Sequence, residues 1–264
     1  MARPDARPVA FRGGGFAPGR RRGAALVAFA ALLGAWEVAS RAGWVSPIFL
    51  PAPSAVLAAL AQLAAGGELW RHLEVSLRRI VLGWTLGTLV GVSAGFAIGL
   101  FSLARSVGIP MVSALFPIPK IALLPLMILW FGIGETSKVL TIALGVFFPT
   151  AIATYSGIDA VPRNLIRMAQ SFGLPARDVA RKVVLPGALP SILAGFRITA
   201  AVALILLVSA EMIGAEFGIG QFTLQAGNLS IPEDLLAGIV VIALLGLAVG
   251  TAISRLEKRL LRWR

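Results

Sequence analysis

Long apolar stretches alternate with short polar ones along most of this chain. Runs with few or no charges cover residues 23–40, 80–104, 139–157, 190–212 and 235–253. Most of them approach or exceed the roughly 20 residues that an α-helix needs to cross the hydrocarbon core of a bilayer. The pattern therefore predicts an all-α, polytopic membrane protein.

A further apolar segment, residues 106–134, is interrupted by a lysine and by several prolines. The prolines are Pro110, Pro117, Pro119 and Pro125. Backbone groups that proline leaves without partners are tolerated at membrane depth only against protein or a water-filled path. We therefore expect a broken third span in a bundle of about six transmembrane helices. Lys120, near its middle, contacts an anionic solute, extends toward an aqueous cleft, or precedes a span that starts later than residue 106.

The second span has a glycine at every fourth position. These residues are Gly83, Gly87, Gly91, Gly95 and Gly99. Such spacing gives a smooth ridge on one helix face, which allows another helix to approach closely. The contact could be made within the chain or with a second copy, and we favour a contact within the chain.

The N-terminal region combines a basic tail with a first apolar span. Residues 1–22 are rich in Arg, Pro and Gly and are expected to be disordered, whereas residues 23–264 are expected to form the transmembrane domain. Glu37 lies inside the first apolar run, and no clear cleavage site follows it, which favours an uncleaved anchor. Ser54 is expected to cap a short helix that ends near Ala64.

Composition supports the membrane interpretation, and the location of the basic residues explains the high positive charge. The chain is 58% hydrophobic and 14% charged, with a mean hydropathy of +0.88 and a net charge of +12. Most basic residues lie at the chain ends and in one loop, as expected of cytoplasmic segments in a membrane protein. We therefore expect a bilayer environment, cytoplasmic termini and no nucleic-acid partner.

The basic loop, residues 159–189, has the pattern of two short helices joined by a turn. The first is predicted over Asn164–Phe172 and is followed by Gly173, a typical C-terminal capping residue. Pro175 then precedes a second helix, Ala176–Val184, which is expected to end at Leu185-Pro186. Such an element can present a compact pair of helix ends to a groove on another protein.

This loop resembles the cytoplasmic coupling loop of permease subunits of ABC importers. The family pattern is Glu-Ala-Ala, three residues, Gly, nine residues, Ile, one residue, Leu-Pro. Aligned on Gly173, the chain matches the spacing and the closing Leu-Pro, but Arg167 stands where the family has its acid. The resemblance implies an ATPase-coupling role for Arg167, Met168, Ala169, Gly173, Leu174, Pro175, Ala176, Asp178, Leu185 and Pro186.

The segment PIPKIALLPLMILWFGIGE resembles the branch of this family that handles nitrate, sulfonates and taurine. The resemblance implies an inner-membrane subunit that forms a pore with a second copy of itself. It also implies a cytoplasmic ATPase dimer that binds the ATP and an extracytoplasmic solute-binding protein. Residues Pro117, Pro119, Lys120 and Pro125 are the candidates for the translocation path.

The absence of certain residue types and motifs from the sequence limits the alternative functions. The chain has no cysteine, one histidine and no Gly-Lys pair, so Cys ligands, a histidine cluster and a P-loop are absent from the sequence. A secondary carrier driven by an ion gradient is the main alternative, and the broken span would suit it. A membrane-embedded enzyme is less favoured, since no catalytic or metal-binding constellation is visible.

Overall fold

A computed structural model describes residues 23–262, and every regular element in that range is helical. The basic segment 1–22, expected to be disordered, lies outside the described residues, as do the last two residues. A 3₁₀ turn, Lys120–Leu123, precedes α5, and a π-helical turn, Ala180–Val184, joins α8 to α9. The α-helices are α1 (Ala24–Arg41), α2 (Pro53–Ala65), α3 (Glu68–Leu100), α4 (Ser102–Leu115), α5 (Leu124–Phe131), α6 (Glu135–Asp159), α7 (Arg163–Ser171), α8 (Ala176–Val179), α9 (Leu185–Glu211), α10 (Ile219–Asn228) and α11 (Pro232–Leu260).

Five helical segments of the described range are long and apolar enough to cross a bilayer, and a bent pair can supply a sixth span. The pair consists of α4 and the segment Lys120–Phe131, which meet at 88°. Pro117 and Pro119 lie between the two arms, where they prevent α4 from continuing. The prediction of about six transmembrane helices is confirmed, and the break predicted in the third apolar segment lies at this bend.

The chain divides into two compact units, with the boundary after Leu57. In the N-terminal unit, the Glu37 carboxylate accepts hydrogen bonds from the Ser54 backbone N–H at 3.0 Å and from its hydroxyl at 2.7 Å. Glu37 also pairs with Arg41, one turn along α1. The expectation that Ser54 would cap α2 was therefore wrong. Ser54 lies in the first turn, and Glu37 supplies the acceptor that the helix start needs.

The larger unit is built on α6, which packs against both α3 and α9. Ile142 and Val146 of α6 are fully buried between Ile80 of α3 and Ala203 and Leu207 of α9. In lipid, where apolar tails compete equally for such side chains, helix association depends on this kind of close packing.

The glycine ridge of α3 faces α6. A Cβ at Gly87 would lie 2.4 Å from the Ala143 carbonyl oxygen, which belongs to rigid backbone. At the other four ridge positions a Cβ would also come within 3.0 Å of α6 atoms. The structure therefore places Gly83, Gly87, Gly91, Gly95 and Gly99 in a contact within the chain.

Three expected boundaries were wrong. The second span was expected to start at Ile80, but α3 begins at Glu68, about three turns earlier. The helix can include these residues because the Arg79 charge is paired, as described below. The second loop helix was expected to end at Leu185-Pro186, but it continues into α9. The π-helical turn before Pro186 changes the hydrogen-bond register, which accommodates the missing proline N–H.

The third difference concerns residues 215–234, which separate the apolar runs 190–212 and 235–253 and therefore read as a loop in the sequence. They contain α10, whose Ile219 is buried against Leu69 of α3 and Val241 of α11. The short apolar run around Ile219 carried too few turns to be recognised as a helix from its periodicity.

Replacing Gly87 by alanine should destabilise the bundle by about 1–3 kcal/mol or more, because the new methyl group would overlap the α6 backbone. Thermal unfolding of the detergent-purified chain measures the effect. Gly250→Ala is the matched control, since nothing lies within 4 Å of its Cβ position and alanine favours a helix. Equal melting temperatures for the two variants would contradict the packing described here.

Candidate functional site

The loop between α6 and α9 forms a helix-turn-helix, hereafter the coupling element (residues 159–189). Gly173 adopts φ +72°, a conformation that is costly for residues with a side chain. The N–H of Leu174 donates to the Ala169 carbonyl at 3.3 Å, and that of Gly173 donates to Gln170 at 2.9 Å. These two bonds form a Schellman turn, which ends α7 and directs the chain into α8.

The inner face of the coupling element is packed onto the ends of the long helices. Ala169, Val179 and Val184 are buried together with Ile158, near the end of α6, and Ile192 of α9. This packing explains why the third residue of the predicted triplet, Ala169, must be small. It also fixes the position of the coupling element relative to α6 and α9.

The outer face of the coupling element exposes apolar side chains. Phe172 is 78% exposed and Met168 is 54% exposed, although both are large and hydrophobic. They border a groove of about 420 Å³ whose other walls include Leu165, Leu174 and Val183. Because this patch lies on a polar, basic segment between the spans, it is a candidate contact site for another molecule.

Charged and polar residues surround this groove. Asp178 and Lys182 form an ion pair of 2.8 Å along the second helix, and Arg177 and Arg181 are exposed nearby. Arg167, which replaces the family's acid, is exposed and forms no ion pair within the described range. The remaining predicted coupling residues are placed at the start of the second helix and at the entry to α9: Pro175, Ala176, Leu185 and Pro186.

Two ion pairs connect helices at the same end of the bundle as the coupling element. Both guanidinium Nη atoms of Arg105 in α4 donate to the carboxylate of Asp159 at the end of α6, each at 2.7 Å. Arg197 of α9 pairs with Glu257 of α11. All four side chains keep part of their surface exposed.

The candidates for the translocation path lie at the bend of the broken span. Lys120 donates to the carbonyl oxygens of Leu115, Phe116 and Ile118, at 2.6–3.1 Å. Its ammonium also lies 4.4 Å from the centre of the Phe148 ring of α6. Lys120 therefore satisfies the carbonyl groups that the end of α4 leaves free.

The prolines of this segment lie at and on both sides of the bend. Pro117 and Pro119 connect the two arms, and Pro125 lies in the first turn of α5, where a missing N–H is tolerated. Pro110 lies inside α4. Pro117, Pro119 and Pro125 are largely exposed in the single chain.

At the opposite end of the bundle, Arg79 is at the centre of a buried ionic cluster. Its guanidinium donates to Glu211 at 2.9 Å, to Glu135 at 2.9 Å and to the Phe217 carbonyl at 2.6 Å. Glu211 is fully buried and also accepts from Ser76 at 2.7 Å. The cluster joins α3, α6, α9 and the segment before α10.

A second buried cation lies beside this cluster. Lys138 is 2% exposed and donates to the carbonyl groups of Ile133, Gly134 and Gly214. Nothing in the local sequence indicates that Arg79 and Lys138 are buried or that Arg79 has acidic partners. The structure buries both. The acids Glu135 and Glu211, at span ends, were the signal that could have identified partners for Arg79.

These features define a class of protein. The fold is a polytopic helical bundle with one broken span, and its only described helix-turn-helix with an exposed apolar groove lies between two spans. That combination is typical of a membrane transport subunit that receives its energy from a separate protein.

Comparison with known proteins identifies the family. Residues 87–262 match the model of the binding-protein-dependent transport system inner membrane component. The taurine transport system permease protein TauC of Escherichia coli K12 is 40% identical over 89% of this chain and 87% of its own length. SsuC of Bacillus subtilis 168, whose name assigns it to aliphatic sulfonate transport, is 36% identical over 94% of this chain and 91% of its own length.

Solved structures support the fold. The MetNI methionine ABC transporter, in inward-facing conformations, aligns with a TM-score of 0.63 at 23% identity over 73% of this chain and 95% of the other chain. An amino acid ABC transporter aligns with a TM-score of 0.57 at 20% identity over 78% and 98%. Both comparisons concern the fold alone.

The chain belongs to the family of inner membrane components of binding-protein-dependent transport systems. It is the permease of an ATP-binding-cassette importer. The alternative of a secondary carrier driven by an ion gradient receives no support from these comparisons.

Removing the Arg79 side chain should be strongly destabilising, because it leaves Glu211 buried without its cationic partner. Loss of one member of a buried ion pair costs about 3–5 kcal/mol. We expect Arg79→Met to lower the unfolding temperature of the detergent-purified chain markedly. Arg78→Met is the control, since the Arg78 side chain is 61% exposed and its pair with Glu135 spans 3.4 Å. Similar effects of the two substitutions would refute a structural role for the cluster.

Proposed function

We propose that the coupling element docks onto a cytoplasmic ATPase and that this contact delivers the energy for transport. The single observation that carries the proposal is the exposed apolar groove beside Phe172. The groove belongs to an element that packs against the ends of α6 and α9. An interface of this type needs a desolvated apolar centre with a polar rim. The groove provides the centre, and Arg177, Arg181 and Lys182 contribute to the rim.

The same proposal assigns ATP to the partner. This chain would be a non-catalytic subunit, with ATP bound by the ATPase dimer. Two copies of the permease would form the pore, each presenting one coupling element to one ATPase subunit. An extracytoplasmic binding protein would deliver the solute to the opposite end of the bundle.

Charge supports an orientation with the coupling element in the cytoplasm. This element carries Arg163, Arg167, Arg177, Arg181 and Lys182, and only Lys182 is paired within the element. At the opposite end, Arg79 is paired with the buried Glu211 and with the partly exposed Glu135. An excess of Lys and Arg residues marks the cytoplasmic side of a membrane protein. Both chain termini would then be cytoplasmic.

The solute we propose is a small organic sulfonate, with taurine and alkanesulfonates as the first candidates. The support is the identity to TauC and SsuC, which extends over nearly the whole chain. Lys120 and the prolines of the bend remain our candidates for the translocation path. Because its three donors are bound to carbonyl groups, Lys120 would act there by shaping the bend and by its charge.

Replacing Phe172 by glutamate should release the ATPase without unfolding the permease. The side chain is 78% exposed, so the fold should tolerate a charge there, whereas the apolar interface should not. Co-purification of the ATPase with the tagged permease measures the contact. Leu229→Glu is the control, since Leu229 is 61% exposed at the opposite end of the bundle. If Phe172→Glu retains the ATPase as well as Leu229→Glu does, the docking proposal fails.

Uptake by the reconstituted complex tests which solute is transported. With the ATPase and binding protein present, we expect vesicles to accumulate radiolabelled taurine or an alkanesulfonate only when ATP is supplied. Nitrate and alanine, a zwitterion with a carboxylate in place of a sulfonate, serve as competitors. Accumulation driven by an ion gradient without ATP would contradict the importer mechanism, and exclusive uptake of alanine would contradict the sulfonate assignment.

A further inference from the structure

We propose that the ion pair between Arg105 and Asp159 transmits movement of the coupling element to the broken span. This inference rests on the proposed function, in which the coupling element is driven by an ATPase. It assigns these two residues a positioning role in transport, through the helices that they join.

The geometry of the ion pair fixes both the relative orientation and the separation of the two side chains. The two Nη atoms of Arg105 face the two carboxylate oxygens of Asp159, and each contact is 2.7 Å. A paired, parallel contact of this kind restricts orientation more than a single hydrogen bond does. The arginine belongs to the first turn of α4, and the aspartate is the last residue of α6.

Asp159 is both the last residue of α6 and the first residue of the coupling element. Val161, two residues later, is 4% exposed and packs with Val179 and Val184 of the second helix. A Cβ at Gly187 would lie 2.9 Å from the Val161 side chain, so the entry to α9 is also in close contact. A displacement of the coupling element relative to the core therefore has to involve the chain at Asp159.

Arg105 belongs to α4, which follows α3 after a break and packs through Val112 on Ile98 of α3 and Phe148 of α6. The backbone at Phe101 is extended, with ψ 126°, and this single residue separates α4 from α3. At its other end, α4 is held by Lys120, which binds carbonyl groups of Leu115 and Phe116. A pull on Arg105 would thus tilt α4 about Phe101 and move the bend that contains the candidate path residues.

The solvent exposure of the two side chains distinguishes a role in transport from a role in folding stability. The side chains of Arg105 and Asp159 are 43% and 41% exposed. Ion pairs exposed to solvent contribute little to folding stability, so the fold has little need of this one. The pair between Arg197 and Glu257 has similar exposure and also joins two helices at this end, but it involves neither α4 nor the coupling element.

The test compares transport with ATP hydrolysis in vesicles that contain the whole complex. Arg105→Gln and Asp159→Asn should each leave ATPase binding and the melting temperature unchanged, while the amount of radiolabelled taurine accumulated per ATP hydrolysed falls at least about fivefold. Coupling between sites typically corresponds to factors of about 5 to 150. The double variant should be no worse than either single variant, because the two residues act through one contact.

Exchange of the two charges provides the rescue. Arg105→Asp combined with Asp159→Arg should restore the ratio of taurine to ATP to at least half of the wild-type ratio. Arg197→Gln, the matched control, should leave the ratio unchanged. The inference is overturned if the single variants behave like Arg197→Gln, if the double variant shows the sum of the two single effects, or if the variants lose ATPase binding and melting temperature together.

The outcomes also separate this inference from the proposal on which it rests. Loss of the ATPase from Phe172→Glu together with a normal ratio in Arg105→Gln refutes only the transmission role. Retention of the ATPase by Phe172→Glu refutes docking at the coupling element, whatever the ratio in Arg105→Gln.

Discussion

The contact between α3 and α6 is the constraint on which the larger unit depends. Glycines along α3 bring its backbone against the carbonyl groups and side chains of α6, as at Gly87 and Gly91. Because apolar side chains gain little from leaving lipid for another helix, such close contact is the main source of specific association. With α9 on another face of α6, the three helices form a core that reaches from the coupling element to the buried ionic cluster.

The two ends of this core are built for different tasks. Around Arg79 and Glu211, charges are buried and fully hydrogen-bonded, so separating these helices would leave unpaired ions in an apolar environment. At the coupling element the ion pairs are partly exposed, and an apolar groove is left open. The first arrangement resists change, whereas the second can exchange contacts with a partner at low cost. This asymmetry suits a transporter that receives energy at one end.

Local sequence patterns were sufficient to predict much of this structure. Apolar length predicted the spans, proline predicted the bend near Lys120, and the four-residue glycine repeat predicted a close helix contact. Gly173 marked the turn of the coupling element because positive φ favours glycine. Each of these features depends on residues that are close together in the sequence.

Features that depend on distant partners were missed. Arg79 and Glu211 are 132 residues apart, and nothing local to Arg79 shows that an acid will neutralise it. The cap of α2 was assigned to Ser54 because the actual acceptor, Glu37, belongs to another helix. The continuity of α8 with α9 was missed because Pro186 normally marks a boundary, and a π-helical turn accommodates it here.

Cross-linking tests the central claim, that energy enters through the coupling element, most directly. The chain contains no cysteine, so a single cysteine introduced at Phe172 is the only thiol on the permease. In membranes that contain the complete importer, a short bifunctional reagent should join this cysteine to the ATPase, and ATP should change the yield. A cysteine at Leu229 should give no such product. Cross-linking of the ATPase from Leu229 and not from Phe172 would contradict the account.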